Sequence, residues 1–129
     1  MLIGDLARLS GLSKDGIRHY EEMGIVRSLP RQAGSRVYRD YDPANLDRIE
    51  RARQAQQLGL ALKEIGPLLD VHDTRDFTEV ETITFLEERL AVVKGRIAEL
   101  RHMEAFIETK LSHHRALAER EKERAPQEQ

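Results

Sequence analysis

At 129 residues the chain has room for one modest domain plus an extended element, and 34% charged with 5% aromatic residues points to helices carrying much solvated surface. The absence of cysteine excludes a disulfide framework, a thiolate metal site and thiol redox sensing. No apolar run approaches the roughly 20 residues of a membrane span, and the start Met1-Leu2-Ile3-Gly4-Asp5 lacks the basic and apolar regions of a secretory signal, so the expectation is a cytoplasmic protein with no membrane partner.

The net charge of −2 is unevenly spread: residues up to Lys63 sum to +3 and those from Glu64 onward to −5. Between Arg27 and Arg39 there are four arginines and no acidic residue, the local pattern of a surface that meets a polyanion. Asp5 to Leu9 reads as a short helix with Leu6 and Leu9 inward, closed by Ser10-Gly11. Ser13 is a good cap for a second helix from about Lys14 to Met23, which stops at Gly24. Two short helices about a tight turn at Gly11-Leu12-Ser13 outline a helix-turn-helix, locked by Leu6, Leu9, Leu12, Ile17 and Ile25.

Ile25–Leu29 and Arg36–Tyr41 read as the two strands of a hairpin with a long polar loop around Pro30 and Gly34. Asp42-Pro43 offers a capping carboxylate and a proline at the first helical position, so a helix is expected from there to Gly59, with Leu46, Ile49, Ala52, Ala55 and Leu58 on one face. Leu62–Leu69 is a second, shorter helix, and the polar, acidic stretch to Thr78 is the joint. From Glu79 to about Lys122 only Gly95 interrupts a helical pattern, and Ile83, Leu86, Leu90, Val93, Ile97 and Leu100 recur at spacings of three and four, a coiled-coil seam. The next seam position is Glu104, after which Met103, Phe106, Ile107 and Leu111 continue the face less regularly. Such a helix cannot bury its own stripe and requires a partner. The domains are therefore 1–70, a joint at 71–78, the long helix at 79–122, and a charged tail at 123–129 that reads as disordered.

Ile3-Gly4-Asp5-Leu6-Ala7, Gly11-Leu12-Ser13, Ile17-Arg18-His19-Tyr20-Glu21 and Gly24-Ile25 stand in an ordered series. They are followed by Tyr38-Arg39-Asp40-Tyr41-Asp42-Pro43 and Leu58-Gly59-Leu60-Ala61-Leu62-Lys63-Glu64-Ile65. Over residues 1 to about 70 this series resembles the MerR family of bacterial transcription regulators; the long helix resembles the family in type alone. The resemblance implies a mostly α fold, a winged helix-turn-helix followed by a long dimerisation helix paired in an antiparallel coiled coil. It also implies a homodimer on an inverted-repeat promoter, activating by distortion of the DNA so that RNA polymerase can read both promoter elements. A repressor or architectural DNA-binding protein is the nearer alternative, and a coiled-coil interaction adaptor the more distant one.

The residues agree with a DNA-binding role. Arg18 and Tyr20 lie on the second helix, with His19 where the family usually carries an aromatic, and arginine bonds guanine or phosphate. Lys14 adds its charge to the helix N-terminus. Arg31, Arg36 and Arg39, with Tyr38 and Tyr41, combine phosphate neutralisation with hydroxyl donors. The dimer interface is expected at Ile83, Leu86, Leu90, Val93, Ile97, Leu100 and Ile107. Gly16, Val37 and Ala61 depart from the family pattern, Gly16 at roughly 1 kcal/mol of helix stability against alanine. No cofactor and no metal is expected: His113 and His114 point about 100° apart on a helix, and His72 stands in an acidic, solvated stretch. A small apolar effector would lodge between the long helix and the Leu62–Leu69 helix, near Phe77, Ile83 and Phe85, but these residues are read in preference as dimer core. No nucleophile with its base, phosphate-cradling glycine loop or metal-ligand spacing supports an enzyme.

Overall fold

A computed structural model describes residues 1–124. It contains helices α1 (Ile3–Ser10) and α2 (Lys14–Glu22), strands β1 (Ser28–Ala33) and β2 (Arg36–Tyr41), and helices α3 (Asn45–Gln57), α4 (Leu62–Thr74) and α5 (Glu79–Arg124). The chain forms two compact units, Met1–Thr84 and the part from Phe85 onward. Among the described residues no helix is long and apolar enough to cross a membrane.

The core of the first unit is built from Leu6, Ile17, Ile25, Val26, Ile49 and Ile65, all essentially inaccessible to water. Burial of such side chains contributes roughly 1.5–3 kcal/mol each. Leu9, expected inward, is 52% exposed; α1 is only two turns long, and its buried face is completed by Ser10 instead. The turn between α1 and α2 follows the expected chemistry. Gly11 takes φ +78° and returns its N–H to the Ala7 carbonyl at 2.9 Å, while Ser13 Oγ accepts from the Gly16 N–H at 3.0 Å.

The hairpin departs from expectation in its turn. β1 starts at Ser28 and runs through Pro30 to Ala33, which pairs with Arg36, so the connection is the two residues Gly34 and Ser35. Gly34 at φ +61° supplies the left-handed backbone that two-residue turns require. Pro30 is tolerated because a two-stranded sheet has only edge strands. Helix α3 begins at Asn45, later than Asp42-Pro43 suggested; Asp42 Oδ1 instead accepts from the Ala44 N–H at 2.8 Å and shapes the turn before the helix. Helix α4 continues five residues past Leu69 to Thr74 and holds Pro67 within it. Its acidic residues do not end it, because Asp70 and Asp73 accept ion pairs from Arg27 and Arg48.

The joint reduces to Arg75–Thr78, and its last residue caps α5. Thr78 Oγ1 accepts from the Glu81 N–H at 3.2 Å and the Thr78 N–H is returned to Glu81 Oε1 at 3.1 Å, a reciprocal capping box. Arg75 adds a two-pronged ion pair to the same carboxylate, at 3.0 and 2.8 Å. The Arg75 guanidinium first, and the Thr78 N–H second, lower the Glu81 carboxyl from an ordinary 4.5 to about 2. A depressed carboxyl stabilises the folded form fully above its unfolded value and loses that contribution as pH falls through the folded one. The link is therefore complete above pH 4.5 and lost toward pH 2. A carbon-detected NMR titration of Glu81 is expected to show this low midpoint, and Arg75→Ala to raise it toward 4.5.

Helix α5 extends to Arg124, two residues beyond the expected end; positions 125–129 of the tail expected to be disordered lie outside the described residues. It has no buried residue.

Candidate nucleic-acid interface

Helix α2 divides its side chains cleanly. Ile17 and Tyr20 turn inward, and Lys14, Asp15, Arg18, His19 and Glu22 are exposed. Lys14 passes its stem along Gly4 of α1, where an added methyl would stand 3.7 Å from Lys14 Cε. Arg18 Nη1 donates to Asp15 Oδ1 at 2.8 Å, and His19 Nδ1 stands 3.8 Å from Glu22 Oε2. Exposed pairs of this kind are worth about 0–1 kcal/mol, so Arg18 is free to exchange Asp15 for a stronger acceptor.

The pleat of the hairpin separates the expected wing residues, since successive side chains point to opposite faces. From the pairing of Arg31 with Tyr38 and of Ala33 with Arg36, the side chains of Arg31, Arg36 and Tyr38 share one face, and Arg39 and Tyr41 the other. Lys14 and Arg18 from α2 line one open cleft of about 420 Å³ with Gly4 of α1 and with Tyr38 and Arg39 of β2. Lys14, Arg36 and Arg39 form no ion pair among the described residues. Arg31 is already engaged with Asp40 Oδ2 at 3.0 Å. Asp40 also accepts from the Met1 ammonium at 2.8 Å, and that ammonium first, then Arg31, hold its carboxyl below the usual range.

Two tyrosines expected at the surface are structural instead. Tyr20 is 8% exposed and donates its hydroxyl to Gln56 Oε1 of α3 at 3.0 Å. Tyr41 is 2% exposed and donates to Glu21 Oε1 at 2.8 Å, with burial first and the Glu21 bond second pushing its phenol up. Both rings sit on the inward face of their element, and a buried phenol needs an acceptor, which Gln56 and Glu21 supply.

The frame behind the interface rests on residues that charge and periodicity do not single out. Glu21 accepts from Tyr41 and also from Ser28 Oγ, so one carboxylate of α2 holds both strands of the hairpin. Asn45, 3% exposed, binds the Arg27 N–H at 3.0 Å and the Arg27 carbonyl at 2.8 Å. Arg48, 6% exposed, donates from Nε to the Ile25 carbonyl at 2.6 Å and from Nη2 to the Gly24 carbonyl at 3.0 Å. The remaining guanidinium bonds go to Asp70 and Asp73 of α4, which also take Arg27. An acid three residues after an arginine in α2 and an arginine inside α3 look like solvated positions in sequence, and only the fold turns them inward.

Elsewhere, Phe77 stacks with His72 at 5.9 Å between centroids and lies under the Arg75 guanidinium, so its faces already have partners. Ile83, Leu86, Leu90, Val93, Ile97, Leu100 and Ile107 of α5 are each between 38% and 63% exposed. His113 and His114 meet edge to face, and among the described residues no three acidic or histidine side chains gather where they could hold a metal ion.

Comparison with known proteins gives a consistent result. The family described as MerR HTH family regulatory protein matches residues 1–71, and that described as MerR, DNA binding matches residues 46–110. The chain is 35% identical over 107 residues to the HTH-type transcriptional regulator ZntR of Escherichia coli K12, covering 82% of this chain and 74% of that one. Among solved structures it resembles the transcription regulator PbrR691 from Ralstonia metallidurans CH34 in complex with lead(II), with a TM-score of 0.70, 27% identity and 84% of each chain covered. It shares its fold with HiNmlR, a MerR family regulator lacking the sensor domain, bound to promoter DNA, at a TM-score of 0.54, 24% identity, and 91% and 92% coverage.

Proposed function

The chain belongs to the MerR family of helix-turn-helix transcription regulators, and from that premise we propose that it works as a homodimer on inverted-repeat promoter DNA. The observation that carries the reading is the cleft in which Lys14 and Arg18 of α2 face Arg39 of the hairpin. Arg18 reads base edges or grips a phosphate from the major groove, and Lys14 and Arg39 neutralise the flanking backbone. Arg36, Tyr38 and His19 are exposed and add contacts at the rim; Arg31 contributes once Asp40 releases it.

The apolar stripe of α5 supports self-association, because about 25 cal/mol per Å² is available from covering it. Charge favours antiparallel pairing. In a parallel, in-register pair Glu104 would face its own copy across the seam. Arg96 would lie beside Arg101, and Lys110 beside Arg115, of the second copy. The dimer activates by bending and untwisting the promoter at a cost of a few kcal/mol, offset by contacts of both modules, so that RNA polymerase engages both elements. Relatives and neighbours include metal-linked regulators, among them PbrR691 with its lead(II); this sequence has no cysteine, so no thiolate response is carried over. No enzymatic step is assigned.

The reading is tested by titrating an inverted-repeat duplex at several salt concentrations. Arg18→Ala is expected to weaken binding by about 1–3 kcal/mol, roughly 5- to 150-fold, with a change in base preference. Arg39→Ala is expected to weaken binding evenly across sequences and to reduce the salt slope by about 1. Equal affinity for Arg18→Ala and the parent chain would sink the assignment of α2. Footprinting of the promoter with and without protein reads the distortion directly, and an unperturbed spacer would count against activation.

A further inference from the structure

We propose that Glu104 sets the register of the α5 pair, seated level with Val93 of the second copy between that copy's Lys94 and Arg96. The inference rests on the homodimer reading above and goes further by naming one alignment among those that the apolar residues allow. Glu104 occupies a seam position of α5, in step with Ile83, Leu90 and Ile97. It is exposed and forms no ion pair among the described residues. An acid at such a position loses water when the seam closes and therefore needs a cation from the facing helix.

An antiparallel register in which Ile83 meets Leu100, Leu90 meets Val93 and Ile97 meets Leu86 sets Glu104 level with Glu79, acid on acid in the seam, and charge disfavours it. Two further antiparallel registers, one heptad apart, place apolar on apolar. In the first, Ile83 meets Ile107, Leu90 meets Leu100 and Ile97 meets Val93, which puts Glu104 level with Leu86. In the second, Leu90 meets Ile107, Ile97 meets Leu100 and Leu111 meets Leu86, which puts Glu104 level with Val93. Each has three distinct apolar layers, so hydrophobic burial does not choose between them. Charge does. The first register sets Glu104 beside Glu87 and Arg89, one charge of each sign at the seam edge; the second sets it beside Lys94 and Arg96, two cations and no acid. At close range in a partly desolvated seam, exchanging a like charge for an opposite one outweighs small differences in apolar fit. A single polar residue in a seam is an established way to fix alignment at the expense of stability.

The chain has no cysteine, so Ser112→Cys on the exposed face of α5 gives one spin-label site in the full-length protein. At 1.5 Å per residue, the proposed register predicts about 40 Å between the two positions 112, the alternative register about 51 Å, and parallel pairing less than about 20 Å. One population near 40 Å is the expected result. Glu104→Leu in the same background is expected to tighten the dimer by about tenfold or more while adding the longer distance. Glu104→Lys is expected to weaken the dimer, and Lys94→Glu in the same chain to restore it. A single distance near 51 Å, or an unchanged distribution in Glu104→Leu, overturns the register assignment with the dimer intact. A monomer by light scattering, with no dipolar coupling, overturns the homodimer reading itself.

Discussion

Arg48→Ala is expected to destabilise the Met1–Thr84 unit by about 3 kcal/mol and to lower its melting midpoint by roughly 12–24 °C. Arg48 is buried, and its guanidinium bridges the Gly24 and Ile25 carbonyls to Asp70 and Asp73. Truncation leaves two main-chain acceptors without their donor, and it strands two carboxylates beside the exposed Arg27 alone. The carboxylates themselves are about half exposed and regain water, so most of the loss comes from the carbonyls. Two controls follow. Asp73→Asn, which removes charge from an exposed partner, is expected to cost less than about 1 kcal/mol. Arg48→Lys is expected to behave more like alanine than like the parent, because one ammonium cannot reproduce the planar fork that reaches four acceptors. Thermal unfolding monitored by far-ultraviolet dichroism measures all three; an Arg48→Ala midpoint within a few degrees of the parent would show that the network is dispensable.

The second large effect is at Gly66. In a free helix, glycine to alanine is stabilising by about 1 kcal/mol, and at Gly95 of α5 that result is expected, since nothing lies within 4 Å of the added methyl. At Gly66 the sign should reverse. An added Cβ would stand 2.6 Å from the Met23 carbonyl oxygen and 3.4 Å from the Gly24 carbonyl carbon. Both contacts are main-chain atoms that cannot rotate away, so α4 must withdraw from the end of α2 or the turn must deform. Overpacking of this kind costs about 1–3 kcal/mol or more, and the net loss is expected at roughly 2 kcal/mol, about 8–16 °C of midpoint. DNA affinity should fall along with stability, because the displaced turn is the one that positions α2. Parallel melts of Gly66→Ala and Gly95→Ala give the contrast; stabilisation at both positions would refute the close approach.

These two residues also show where sequence reading stops. The two short helices, the hairpin and the long helix are legible because Ser13, Gly11 and Gly24 punctuate the chain and the spacing of apolar residues repeats. Exposed cations are legible as well: Lys14, Arg18 and Arg39 share a cleft. Gly66 reads as a simple weak point before Pro67, since closeness to Met23 is a contact between segments more than 40 residues apart. Arg48 reads as one more charge on a polar helix, and its burial depends on carbonyls left over by the turn at Gly24. Tyr20 and Tyr41 carry the same ambiguity in reverse. A tyrosine next to arginine resembles a contact residue, and only the position of Gln56 and Glu21 decides that both hydroxyls are turned inward.

The Glu21 tie has a practical consequence for redesign. One carboxylate on the inner side of α2 receives the hydroxyls of Ser28 and Tyr41, so the spacing of helix and hairpin is tied within the protein, like a caliper with a fixed jaw. Under the proposed role of α2 in the major groove, exchanging its outward residues, such as Arg18 and His19, is expected to change base preference without retuning the hairpin. A transplanted helix that omits the acid at position 21 releases one jaw, and whatever sequence it is made to read, the gauge no longer holds its setting.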